Sequence, residues 1–154
     1  MRKVFLSLAV LVIIIAAVGC TSTPTQPTTT TTTILDQEQT ILKNYYWYGY
    51  FTADAGAVIN VDLDVTAGGN VDLFLMDSGD FAEYQNFVNG NASVFHYYGA
   101  GSALNILSKS YNFTIPDDGT YYVVVDNGED NISGEAVPTG AVTVKIKITE
   151  TTTN

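Results

Sequence analysis

Apolar and polar residues alternate with a period of two along most of this chain. In AVINVDLDV, Ala57, Ile59, Val61, Leu63 and Val65 share one face while Asn60, Asp62 and Asp64 share the other, as in a strand with one buried side. AVTVKIKIT repeats the pattern, with Val142, Val144, Ile146 and Ile148 inward and Lys145 and Lys147 outward. NYYWYGYF (44–51), VDLFLM (71–76), SVFHYY (93–98), ALNIL (103–107), YNFTI (111–115) and YYVVVD (121–126) supply the rest of about eight strands. AGGN (67–70), NGN (89–91), GAGS (99–102) and PDDG (116–119) are turn-forming and separate them. Short strands at this spacing predict an all-β protein, an antiparallel β-sandwich of jelly-roll type. One stretch breaks the period: in SGDFAEYQNFV, Phe81, Tyr84 and Val88 recur near helical spacing and predict a single short helix.

The N-terminal pattern is different. Arg2 and Lys3 precede an apolar run from Val4 to Val18 interrupted only by Ser7. A helix of that length spans roughly 22 Å, short of the roughly 30 Å of a bilayer core, so it reads as a signal sequence and not as a permanent span. Ala16, Ala17 and Gly19 are small, and Cys20, the only cysteine, follows at once. AVGC resembles the lipobox of prokaryotic lipoproteins, although that family prefers leucine where Ala17 stands. The resemblance implies removal of residues 1–19 and a membrane-anchoring lipid on Cys20. Two acyl chains on one thiol anchor stably where a single chain does not.

Residues 20–33 read as a stalk, since nine of the thirteen residues from Thr21 to Thr33 are threonine and none is a large apolar residue. Residues 34–149 form the sandwich domain, and 150–154 a disordered tail. Without the leader, Lys43, Lys109, Lys145 and Lys147 stand against all 16 acidic residues, a net charge of −12. Such a surface repels phosphate and excludes nucleic-acid binding. With Cys20 lipidated no disulfide framework exists, and stability rests on a packed core.

VDLFLMD, followed after a loop by YNFTIPDDGTYYVVVDN, resembles the pre-peptidase C-terminal domain and related GOLD-type sandwiches, over roughly Tyr45 to Ile148. The resemblance implies that Gly119 permits a turn and that Tyr121 and Val123 pack the core. It also implies an accessory module of a secreted protein, some members of the family binding calcium or matrix polymers. No catalytic domain accompanies the module in this chain.

Catalytic signatures do not emerge. His96, the only histidine, sits in VFHYY and reads as a strand residue with a satisfied hydrogen bond. No Gly-x-Ser-x-Gly elbow, paired histidines or phosphate-cradling loop occurs in the sequence, which reads as a non-enzyme.

Two constellations are candidate binding sites. The loop DNGEDNISGEAVPTG (126–140) places Asp126, Glu129 and Asp130 together as hard oxygen ligands suited to Ca2+, without the spacing of an EF-hand. Asp77 and Asp80 join them if the fold brings their loop alongside. The second is aromatic: alternation puts Tyr46, Tyr48 and Tyr50 on one face of their strand and Tyr45, Trp47 and Phe51 on the other. An exposed tyrosine row stacks on sugar rings or meets a partner protein; a covered one packs under the stalk or a loop.

Asn91, Asn112 and Asn131 head N-glycosylation sequons. Lipobox, threonine stalk and sequons together look like an archaeal surface lipoprotein, with a bacterial source as the other option. The expectation is a lipid-anchored binding or adhesion module on the extracellular face of the membrane. Its ligand is an extracellular polysaccharide, a protein or calcium, and the alternative is a glycosylated structural component of the envelope.

Overall fold

The computed structural model describes residues 27–130 and 132–153. The expected signal segment, Cys20 and Asn131 lie outside the described residues. Eight strands form: β1 (Thr29–Ile41), β2 (Tyr46–Ala53), β3 (Val58–Ala67), β4 (Val71–Asp77), β5 (Ala103–Ile106), β6 (Ser108–Thr114), β7 (Gly119–Asp126) and β8 (Val142–Thr153). One sheet runs β1-β8-β3-β6 and the other β2-β7-β4-β5, with every pairing antiparallel. This order is that of a jelly roll.

The inward positions predicted from alternation fill the space between the sheets. Ile59, Val61, Leu63, Val144, Ile146 and Ile148 from one sheet meet Phe51, Leu73, Leu75, Tyr121, Val123 and Val125 from the other, all buried. Gly119 opens β7 opposite Ala53, directly after the bend at Asp117 and Asp118, and needs no left-handed backbone. Tyr121 and Val123 do pack the core.

The second sheet is covered on its outer side as well. Helix α1 (Ser78–Val88) lies there, with Phe81 and Tyr84 buried against Phe74, Met76 and Val124. That cover explains why VDLFLM is buried along its whole length instead of alternating. Asp77 caps the helix, its Oδ1 accepting from the N–H groups of Gly79 (2.7 Å) and Asp80 (2.9 Å).

Two elements differ from expectation. SVFHYY forms no strand; it crosses the outer face as irregular chain, held by Phe95 and Tyr97 against Phe74 and by the Tyr98 N–H to the Leu75 carbonyl at 2.9 Å. The eighth strand is instead β1, which begins at Thr29, inside the segment expected to be stalk, and pairs as far as Thr153, inside the expected tail. Thr29–Thr33 are exposed, so burial does not drive them into the sheet. Paired β-branched backbones do, with Thr29 opposite Thr153 and the hydroxyls of Thr31 and Thr151 at 3.0 Å.

Gly101 touches the floor of the core. A Cβ there would lie 2.5 Å from Leu75 Cδ2 and 2.8 Å from its Cβ. Gly101→Ala is therefore expected to lose about 1–3 kcal/mol in a denaturant titration, the usual cost of overpacking a closed interior.

Candidate functional site

Strand register sets three rungs across the outer face of the second sheet. Tyr46 on β2, Asp126 on β7 and Asp72 on β4 form one; Tyr48, Val124 and Phe74 the next; Tyr50, Tyr122 and Met76 the third. β2 is one of the sheet's two edge strands, so its tyrosines fringe the helix-covered patch. Tyr46 meets Tyr84 edge-on at 5.0 Å, and Tyr48 leans on Phe81 at 4.8 Å. Tyr48 and Tyr50 remain 42% and 68% exposed.

The turn before β2 is tied to the end of β7. Asn44, at φ 65°, gives its N–H to the Asn127 carbonyl, and Asn127 gives its own to the Tyr45 carbonyl. Tyr45 thereby sits ahead of the strand and is exposed, not inward beside Trp47 and Phe51 as its place in the sequence predicts. Beside it starts the acidic loop. Asn127 Nδ2 donates to the carbonyls of Ile41 and Gly140, closing the loop's base. Glu135 Oε2 accepts from the Asp130 and Ile132 N–H groups, and Asp72 accepts the Ala136 N–H.

The result is one cleft of about 730 Å3, lined by Tyr45, Tyr46 and Tyr48 of β2 and the turn before it, by Asp126, Glu129 and Asp130 at the start of the acidic loop, and by Asn44 and Asn89. The two constellations that the sequence presents separately thus share a single site. Tyr50 does not line it. Asp77 and Asp80 lie with the helix, away from the loop's carboxylates.

Asp126 is buried at the cleft floor. Its Oδ2 accepts from the Tyr84 hydroxyl at 2.7 Å and its Oδ1 from the Gly128 N–H at 2.6 Å. Gly128 is needed for that close approach, because a Cβ would come within 2.8 Å of the same oxygen. Burial, a hydrogen bond to Asp126 and the nearby Asp126, Glu135 and Asp72 charges push Asp130 up to about 8. Asp130 therefore holds a proton at neutral pH and donates it within the pair. Glu129 is the exposed carboxylate of the rim.

Asp126, Glu129 and Asp130 do not form a three-donor group. Among the described residues the set that does is Asp80, Glu83 and His96, with ligand atoms within 4.8 Å of one another. His96 is exposed, and its Nδ1 lies 2.6 Å from Glu83 Oε2, a bond that raises the imidazole above its ordinary value. Asn91 and Asn112 are exposed.

Sequence pattern does not single out Asp72 or Glu83, and it marks Tyr84 only as part of the helical face. Asp72 carried a usable signal, a carboxylate between apolar residues on a strand whose two faces are both covered. Tyr84 and Glu83 act through helix docking that no local pattern reports.

No family model matches this chain. No curated protein matches it either. Among solved structures it is similar to PliG of Aeromonas hydrophila, a periplasmic inhibitor of g-type lysozyme, at 14% identity over 75% of this chain and 84% of that one, with a TM-score of 0.45. Among the described residues no helix is long and apolar enough to cross a membrane.

Proposed function

We propose that this protein is a lipid-anchored surface module that holds a sugar unit of an extracellular polysaccharide in the cleft between β2 and the acidic loop. The convergence of three tyrosines with three acidic residues and two amides on that cleft carries the reading. Tyrosine rings offer flat apolar faces to the C–H side of a sugar, and carboxylates and amides match its hydroxyls. The acidic floor disfavours uronic or sulfated polymers and favours neutral or amino-bearing ones. Cys20 is the anchor, and Asn91, Asn112 and Asn131 are glycan sites that keep the remaining surface solvated. No catalytic role is assigned to the cleft.

Binding of the full chain in detergent to a neutral glucan, an amino-bearing chitin-type polymer and an acidic pectin-type polymer tests this. Retention is expected on one of the first two and not on the third. Tyr45→Ala and Tyr48→Ala are each expected to weaken it about tenfold, as for a central aromatic contact, and Tyr50→Ala to leave it unchanged. Equal retention of all four proteins, or none by the parent protein, favours a purely structural envelope component.

A further inference from the structure

We propose that Asp80, Glu83 and His96 form a binding site for a divalent transition cation of the zinc type, separate from the cleft. The site is built from two elements. Asp80 and Glu83 stand three residues apart on α1 and so share one face of it. The helix is fixed under them by the Asp77 cap and by Phe81 and Tyr84 in the outer cluster. His96 comes from the irregular segment opposite, where Phe95 and Tyr97 on either side of it pack into that cluster and leave the imidazole outside, against Glu83.

Charge and unspent donors point the same way. Asp80 faces the carboxylates of Asp77 and Glu83 and the imidazole of His96. Among the described residues no hydrogen-bond donor is spent on the Asp80 carboxylate. Of the described lysines, Lys43 stands in the turn between β1 and β2, and Lys109, Lys145 and Lys147 belong to the other sheet, on β6 and β8. A divalent cation is the partner such a set lacks.

The donor chemistry selects the metal class. Calcium and magnesium take oxygen shells, whereas an imidazole with two carboxylates suits zinc, nickel or copper. Ligand atoms about 2.1 Å from a tetrahedral zinc stand about 3.4 Å apart. For zinc the present spread of up to 4.8 Å has to close and the 2.6 Å Glu83–His96 contact has to open. Three protein donors leave a fourth position for water or a donor from another molecule. Metal would also join the helix to the 93–98 segment, which has no strand ladder of its own.

Titrating ZnCl2 into the full chain tests the site by calorimetry and by the imidazole NMR signals, which belong to His96 alone. One equivalent is expected to bind and shift those signals, with CaCl2 at the same concentration doing neither. His96→Ala and Glu83→Gln are expected to weaken zinc about tenfold or more, since even loss of a ligand's outer support does as much. Asp130→Asn is expected to leave zinc binding unchanged. No zinc binding, or binding that survives His96→Ala or is lost in Asp130→Asn, overturns the proposal. The sugar-retention assay is independent of either result, because none of the three residues lines the cleft.

Discussion

Asp72→Ala is expected to destabilise the protein by about 2–5 kcal/mol, while Asp72→Asn costs little, although both remove the same charge. Asp72 is 3% exposed and is spent on backbone. Its Oδ1 accepts the Asn105 N–H at 2.7 Å and the Ala136 N–H at 3.0 Å. Those two bonds fasten the short edge strand β5, where pairing with β4 is irregular between Val71 and Leu73, and the far side of the acidic loop. Alanine leaves the buried Ala136 N–H and the part-buried Asn105 N–H without this acceptor, at about 1–3 kcal/mol for the first and less for the second, to which the lost packing of a buried side chain adds. Asparagine keeps the accepting oxygen. It also removes a charge that burial disfavours and that faces Asp126 and Glu135, so its amide N–H has acceptors at hand. Urea denaturation of the two variants separates the readings: equal losses would mean that the charge of Asp72, and not its accepting oxygen, holds the loop.

Much of the sandwich is legible because alternation reports burial directly. β3 buries every second residue from Ile59 to Leu63 and β8 from Val142 to Ile148, as their patterns require, and SGDFAEYQNFV forms a helix over the predicted span. The errors have a common cause. Alternation cannot report a strand that buries almost nothing, which is the case for the threonine half of β1. It also cannot separate a strand from irregular chain whose aromatic residues are buried for another reason, as in SVFHYY, where Phe95 and Tyr97 cover Phe74. Both depend on contacts between residues far apart in the chain.

The cleft was hidden for a related reason. Tyr46 and Asp126 are individually visible as a strand tyrosine and a loop carboxylate, yet only the β2–β7 register makes them neighbours. Asp72 and Tyr84 meet Asp126 behind the cleft, from another strand and a docked helix. Local chemistry was therefore readable and its assembly was not.

The same floor should make stability fall as pH rises through neutrality. In the unfolded chain Asp130 titrates near its ordinary value of 3.8, while in the folded protein it is pushed up to about 8. Between those values the folded state holds a proton that the unfolded state has released, so stability decreases with increasing pH. The contribution is complete below about 4 and lost above about 8. The melting temperature is accordingly expected to drop by several degrees between pH 5 and pH 9. Asp130→Asn keeps an N–H donor toward Asp126 at every pH and is expected to flatten the profile. Tyr84→Phe provides the contrast: it removes a donor that does not titrate in this range, and should lower stability by about 1.5–3 kcal/mol at all pH values without changing the slope. A flat profile in the parent protein would mean that Asp130 is ionised in the fold, with the loop opened enough to solvate it. The cleft would then present two ionised carboxylates at its floor in place of a proton-sharing pair, and its preference would move from neutral sugars toward cationic ones.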